Sequence, residues 1–340
     1  MIRLTSQTTP ASGVCTPLCD GVWWLRMPLP FELDHINLYV LQDSDGIFII
    51  DTGLSSRKSK AIWQTCFEQF KQPLKGVIVT HMHPDHSGLA GWLCREFNVP
   101  LYMSALEYFA ARSIFGPNPG ADLSTDKRYF QRAGVDQSII EQHVRPRDTY
   151  TEGVEPLPLA FHRLTQGQTL NIAGRSWQVM TFAGHSPEHV CLYNATDKLL
   201  IGGDQILPQI SPNIGVYSQE PEANPLAHYF ESLTALGDLP SDVLVLPSHN
   251  VPYTGVSFRA QQLREHHEVQ LAALVSFCEE PQTLVACLPV MYKRELSGRH
   301  MFFAVAECLS HLNYLMYAGR LTRQITDAGV YVYQQTGLKS

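Results

Sequence analysis

Four potential metal ligands fall within six residues of the run Thr80-His81-Met82-His83-Pro84-Asp85-His86-Ser87-Gly88. The run follows the apolar stretch Gly76-Val77-Ile78-Val79, which reads as a short buried strand. The ligand types therefore sit on the loop leaving that strand. Three imidazoles crowded together repel one another when protonated and gain little from packing, so a cation at the strand end is the economical explanation, against a chance His-rich loop. Imidazole and carboxylate suit Zn²⁺, Fe or Mn²⁺, and a set without thiolates belongs to the catalytic rather than the structural kind of site.

Further ligand types arrive downstream, each after an apolar run and beside a small or turn residue. His185 in Gly184-His185-Ser186-Pro187 follows Trp177-Gln178-Val179-Met180-Thr181-Phe182, Asp204 follows Leu199-Leu200-Ile201-Gly202-Gly203, and His249 follows Val243-Leu244-Val245-Leu246-Pro247-Ser248. All can be presented from the same end of a sheet. An HxHxDH loop followed in order by a His, an Asp and a His resembles the metallo-β-lactamase-fold hydrolase superfamily, over roughly the first three quarters of the chain. The resemblance implies an α+β fold, a four-layer αββα sandwich. It also implies one metal held by His81, His83 and His185, a second by Asp85, His86 and His249, and Asp204 bridging the two. The cofactors it implies are two divalent metal ions, with zinc favoured and manganese or iron also suited. A metal-bridging hydroxide would then be the attacking group, and Asp85 would have a second, catalytic task in orienting it and passing on its proton. Asp51-Thr52-Gly53 matches the superfamily's first motif, in which the Asp hydrogen-bonds the backbone of the metal loop instead of binding metal.

The elements that must position these groups are legible in outline. Residues 22–27, 35–41 and 47–50 read as strands, the last two joined by an Asp-Gly hairpin turn. Residues 55–70 form an amphipathic pattern with Ala61, Ile62, Phe67 and Phe70 available for packing. Ser87 is expected to cap a helix over 88–97, and residues 99–103 to form another strand. In the insertion over about 104–150, residues 105–111 look helical, Gly116-Pro117-Asn118-Pro119-Gly120 breaks the pattern, and 136–143 suits a second helix. Phe109, Phe115, Tyr129 and Phe130 could line a substrate cavity or simply be core. Hairpins are expected at 170–177, with Ala-Gly at the turn, and at 190–201. Residues 207–214 are too Pro-rich for regular structure and suit one wall of the site, 224–236 reads as a helix, and the strand before His249 closes the domain.

Residues 1–258 thus form the catalytic domain, and 259–340 change in character. A polar helix over 261–277, a helix over 300–317 and strands near 321–324 and 330–333 resemble a winged-helix module. Leu312-Asn313-Tyr314-Leu315-Met316-Tyr317-Ala318-Gly319-Arg320-Leu321 resembles its last helix and wing in the superfamily branch that holds a β-lactamase-like endoribonuclease and polyketide thioesterases. Lys and Arg outnumber acids by only one in this segment, so it lacks a nucleic-acid footprint and suits pocket shaping or dimer contact.

The formal charge of −7 over 340 residues disfavours a nucleic-acid partner. No apolar run is long enough for a membrane span. Residues 1–20 form a polar leader without a secretion signal, and the eight cysteines lack a dense framework, so reduced thiols and a cytoplasmic setting are expected. Cys15 and Cys19 could still pair or bind metal. His35, His143, His162, His228, His300 and His311 lack companions at ligand spacing, whereas His266 or His267 could approach the site from the C-terminal domain.

The resulting expectation is a binuclear metal-dependent hydrolase acting on a small-molecule thioester or ester. The alternatives are a metal-dependent endoribonuclease or phosphodiesterase and a non-catalytic effector-binding protein. A homodimer is left open. A persulfide dioxygenase, which shares the loop but uses one iron, is separated by metal stoichiometry.

Overall fold

Among the described residues, short apolar strands punctuated by turn residues build two seven-stranded sheets and one of three strands. The structure, a computed structural model, describes residues 1–116, 123–144, 153–294, 296 and 298–337. The break expected at Gly116-Pro117-Asn118-Pro119-Gly120 lies outside these from Pro117 onward. The chain divides into two compact units, the first formed by Met1–Asn118, Arg147–Pro212 and Gly237–Arg259, the second by Pro119–Pro146, Asn213–Leu236 and Ala260–Ser340.

In the first unit one sheet runs in the order β2 (Cys15–Cys19), β3 (Val22–Pro28), β4 (His35–Gln42), β5 (Ile47–Ile50), β6 (Leu74–Ile78), β7 (Leu101–Met103) and β8 (His162–Arg163). β2 to β5 are antiparallel. Asp45-Gly46 closes the β4–β5 hairpin, with the Asp43 amide donating to the Gly46 carbonyl at 2.8 Å. From β5 onward pairing is parallel, because helical crossovers replace tight turns. The crossovers are α1 (Arg57–Phe70) before β6, and α2 (Pro84–Ser87) with α3 (Ala90–Phe97) before β7. Then comes α4 (Ala105–Phe115).

The second sheet runs in the order β1 (Arg3–Leu4), β14 (Tyr253–Thr254), β13 (Leu244–Pro247), β12 (Leu199–Gly203), β11 (His189–Asn194), β10 (Arg175–Phe182) and β9 (Thr169–Ile172). Ala173 and Gly174, both at positive φ, make the β9–β10 turn. The supposed leader is therefore structural: Arg3 and Leu4 pair with Thr254 and Tyr253, and Cys15 to Cys19 pair with β3. Its polar composition hid this, since edge strands tolerate polar residues.

The period of two along β4 decides how the layers meet. Leu38 and Val40 point into a core shared with Trp63 and Cys66 of α1, Leu93 of α3 and Tyr108 of α4. Tyr39 and Leu41 point the other way, into a core shared with Trp177, Val179, Leu192 and Ile201 of the second sheet. Both faces of the first sheet are buried, and each apolar side chain so enclosed contributes roughly 1.5–3 kcal/mol relative to exposure. Ser56 starts α1 by accepting the Ser59 amide at 3.0 Å. Ser87, by contrast, caps nothing. It lies in the last position of α2, where its hydroxyl donates to the Met82 carbonyl at 2.7 Å, and α3 begins at Ala90 without a side-chain cap. Pro84, at the first position of α2, starts that extra turn within the metal loop, between His83 and His86.

The second unit holds α5 (Ser124–Ala133), α6 (Gln137–His143), α7 (Pro225–Gly237), most of α8 (Val256–Phe277), α9 (Leu284–Met291) and α10 (Arg299–Tyr317). Its sheet has the order β15 (Gln282–Thr283), β17 (Tyr331–Gln335) and β16 (Leu321–Ile325). Residues 207–214 carry no helix or strand. The aromatic set of the insertion is split between the units. Phe109 is largely exposed and Phe115 packs on the first core. In the second unit Tyr129 is buried with its hydroxyl on the Val216 carbonyl at 2.7 Å, and Phe130 meets Phe302 edge-on. His267 lies 3.0 Å from His311, both within the second unit. All eight cysteines are free thiols. Among the described residues no helix is long and apolar enough to cross a membrane.

Candidate metal centre

The seven ligand-type residues leave their strands as the spacing predicts. The loop after β6 supplies His81, His83, Asp85 and His86, that after β10 supplies His185, the end of β12 supplies Asp204, and the loop after β13 supplies His249. Both sheets contribute, all within the first unit. Their donor atoms fall into three overlapping groups, His81/His83/His185, His81/His86/Asp204 and Asp85/His86/His249, with atoms in each lying within 4.8 Å of one another.

The distances specify a cation-binding arrangement. Nε2 of His81 lies 2.9 Å from Nδ1 of His83 and 3.3 Å from Nε2 of His185. A single proton can bridge one pair of these nitrogens, whereas a cation accepts all three lone pairs. Asp204 separates the remaining groups: its Oδ2 is 3.6 Å from His185 Nε2, and its Oδ1 is 3.5 Å from His86 Nε2 and 3.3 Å from His249 Nε2. Oδ2 of Asp85 stands 3.7 Å from His86 and 3.6 Å from His249. His86 Nε2 and Asp204 Oδ1 are both closed to solvent and make no hydrogen bond. Two such orphaned polar atoms facing each other are costly unless something binds them, and the nitrogen and oxygen donor set fits divalent metal.

Neighbouring groups fix which nitrogen turns inward. His86 Nδ1 lies 2.7 Å from Asp51 Oδ2, His249 Nδ1 donates to the His35 carbonyl at 2.9 Å, and His81 Nδ1 is 3.0 Å from the Thr80 hydroxyl. With Nδ1 engaged, Nε2 faces the centre. Asp51 also accepts the Thr80 amide and the Thr80 hydroxyl, both at 2.8 Å, so it braces the metal loop and points away from the ligands' convergence. His35, read from the sequence as a histidine without ligand companions, also accepts the Asn250 amide at 3.1 Å through Nε2 and so holds the His249 loop.

Electrostatics divides the imidazoles. Burial, reinforced by the surrounding imidazoles, pushes His81 and His83 well below the ordinary histidine range. Burial also works against the proton on His86, but Asp85, Asp51 and Asp204 outweigh it and raise the group. In the same way Asp204 outweighs burial at His249 and raises it. Asp204 itself, though burial pushes it up, is held well below the usual carboxylate range by His249 and His86. Protons on His86 and His249 balance the carboxylates; a divalent cation does the same and displaces them.

Two further residues of the site do not stand out by sequence spacing. His189 follows His185 by four residues at the start of β11, and its Nε2 accepts the Asp204 amide at 3.1 Å while its ring stacks on His81 at 4.7 Å between centroids. Its one mark in the sequence is its place four residues after a ligand-type histidine. Glu107 lies in an apolar stretch of α4 and is fully buried, which an acidic residue there should have flagged.

Residues 32–249 match the Metallo-beta-lactamase superfamily and residues 271–336 the Metallo-beta-lactamase-like, C-terminal domain. A beta-lactamase domain protein from Burkholderia ambifaria has a similar solved structure, at 40% identity and TM-score 0.90, covering 97% of each chain. The metallo-beta-lactamase family protein TTHA1429 from Thermus thermophilus is 28% identical at TM-score 0.80, covering 94% of this chain and 100% of its own. Among curated relatives, the probable metallo-hydrolase YqjP of Bacillus subtilis is 24% identical over 316 residues, 87% of this chain and 92% of its own. More distant are a hydroxyacylglutathione hydrolase from a Marinomonas species, 21% identical over 75% of this chain and 76% of its own, and the acyl-coenzyme A thioesterase MBLAC2 of Gallus gallus, 22% identical over 56% and 64%. With its histidine and aspartate clusters at the strand ends of two facing sheets, the chain belongs to the metallo-β-lactamase superfamily and is a metallo-hydrolase of that family.

Proposed function

We propose that His81, His83 and His185 hold one divalent cation and Asp85, His86 and His249 a second, with Asp204 between them, and that the enzyme hydrolyses a small thioester or ester. The observation that carries this reading is the division of Asp204, whose Oδ2 faces His185 while its Oδ1 faces His86 and His249. Held by these residues, two cations would lower the pKa of water toward neutrality and polarise the scissile carbonyl. Zinc suits the donor set best, with manganese and iron as alternatives decided by availability.

Asp85 is the more open of the two carboxylates, its side chain 20% exposed against 11% for Asp204. It is therefore placed to orient the attacking water and to receive its proton, which it can hand to solvent. Asp204, held ionised by His249 and His86, remains a ligand and not a proton carrier. Asp51, Thr80, His35 and His189 keep the imidazoles turned and the loops in register.

The thioester or ester class rests on the likeness to a hydroxyacylglutathione hydrolase and an acyl-coenzyme A thioesterase. The net charge of −7 speaks against a polyanionic RNA substrate. In the second unit, helices followed by the β16–β17 hairpin fit a winged-helix-like module.

The test is a panel of acyl-glutathione, acyl-CoA, lactone, phosphodiester and RNA substrates assayed on metal-quantified protein. Two metals per chain with thioester turnover is the expected result. RNA or phosphodiester cleavage lost on chelation, with thioesters untouched, overturns the substrate class, and a metal content of one overturns the binuclear site.

A further inference from the structure

Two separate loops bring together the three-histidine group. Met82 lies between His81 and His83, and Ser186 to Glu188 follow His185. One side chain from a third element reaches both. Glu107, in the first turn of α4, accepts the Met82 amide on Oε2 at 2.9 Å, and on Oε1 it accepts the Ser186 hydroxyl at 2.6 Å and the Glu188 amide at 2.7 Å. The strap is reciprocal. The Glu188 carboxylate accepts the Leu106 amide at 3.0 Å, and its carbonyl accepts the Ser104 hydroxyl at 2.7 Å.

A buried carboxylate is costly to keep. Burial pushes Glu107 up to about 7, although the Ser186 hydroxyl and the Glu188 and Met82 amides pull it down. The apolar contacts of helix α4 with the core come from Tyr108, Ala111 and Phe115. What Glu107 does contact is the backbone on either side of the three histidines. The second group is held by other means: Asp51 on His86, the Thr52 amide on the His86 carbonyl at 2.8 Å, and the His35 carbonyl on His249.

We propose that Glu107 is a positioning residue which sets the spacing of His81, His83 and His185 by tying their two loops to α4, and so governs cation affinity at that group in preference to the Asp85/His86/His249 group. This rests on the ligand assignment proposed above. It predicts a defect confined to one of two cation sites, which general loss of packing does not produce.

The experiment uses full-length protein stripped of metal and titrated with Co²⁺ and Zn²⁺, with stoichiometry by elemental analysis and the two cobalt environments followed by visible absorption. Glu107→Gln keeps an oxygen for Ser186 and Glu188 but turns its amide donor against the Met82 N–H. The expected result is two cations in the wild type and, in the variant, an affinity loss of about tenfold or more at the nitrogen-only site, with the other site unchanged. Ser186→Ala, which removes one donor and leaves the carboxylate, should give a smaller loss at the same site, and it carries the test if Glu107→Gln does not fold. A wild type that binds no pair of cations overturns the ligand assignment and this inference with it. A wild type with two cations whose variants bind both as tightly, or lose both equally, overturns the positioning role alone.

Discussion

One carboxylate oxygen of Asp51 lies 2.7 Å from Nδ1 of His86, and the other accepts the amide of Thr80, the residue that opens the metal loop. Asp51 makes these contacts from φ 61°, a left-handed conformation that aspartate tolerates better than most side chains. Asp51→Ala leaves the Thr80 amide buried without its acceptor and frees the His86 ring to turn. We expect metal affinity to fall roughly ten- to hundredfold and the metal-free protein to lose about 1–3 kcal/mol, read by chelator competition and thermal unfolding. An unchanged affinity would mean that packing alone orients His86.

Asp204 and His81 lie where the donor groups meet, His81 in two of them and Asp204 between the imidazoles of both proposed sites, so truncating either disturbs more than a single ligand bond. In His81→Ala and Asp204→Ala, turnover should fall to the uncatalysed background and bound metal should drop below two per chain. Elemental analysis beside the rate assay separates loss of metal from loss of chemistry. Normal activity in purified His81→Ala contradicts the assignment.

Local patterning makes the seven ligand-type residues and the strands that present them readable. His81 to His86 share one short loop, and His185, Asp204 and His249 each follow an apolar run, so the strand ends are written in the chain. The supports were harder to see. Glu107 and His35 act through contacts with groups far away in sequence, to Ser186 and His249 respectively, and no spacing rule reports such pairs. Helix α9 was obscured by Pro289 within it, although Thr283 marks its start by accepting the Ala286 amide. The strand Arg3–Leu4 is two exposed residues whose only signal is their partner β14. Asp204 can be found by order, whereas His189 is marked in the sequence only by its nearness to His185, because its role depends on the close approach of β11 to the end of β12.

That approach makes Gly203 irreplaceable. It sits at φ 53°, and a Cβ there would lie 2.4 Å from Cε1 of His189 and 2.5 Å from Nε2. Gly203→Ala should therefore strain the backbone and push His189 off the Asp204 amide, destabilising the protein by about 1–3 kcal/mol and weakening metal binding. Adding His189→Ala removes the clash but not the backbone strain. In a double-mutant cycle the pair should be less destabilised than the sum of the singles; strict additivity would mean that the two residues do not collide.

Glu307 of α10 is half-buried and receives the Tyr292 hydroxyl, and the loss of water around its carboxyl pushes it from 4.5 up to about 7. Below pH 4.5 it is protonated in both folded and unfolded chains, and its contribution is fully present. Between 4.5 and 7 the unfolded chain releases a proton that the folded protein keeps, so stability falls as pH rises, by on the order of 3 kcal/mol in all. His311, one turn along the same helix, acts in the opposite sense: burial lowers it from 6.5 to about 4, so its contribution is present above pH 6.5 and lost as pH falls toward 4. The two slopes oppose each other where their windows overlap. Glu307→Gln removes only the first, and relative to wild type it should gain about 2–3 kcal/mol between roughly pH 5 and pH 8, measured by denaturant unfolding at both values. The same difference at both pH values would show that Glu307 titrates as an ordinary carboxyl and that burial does not hold its proton.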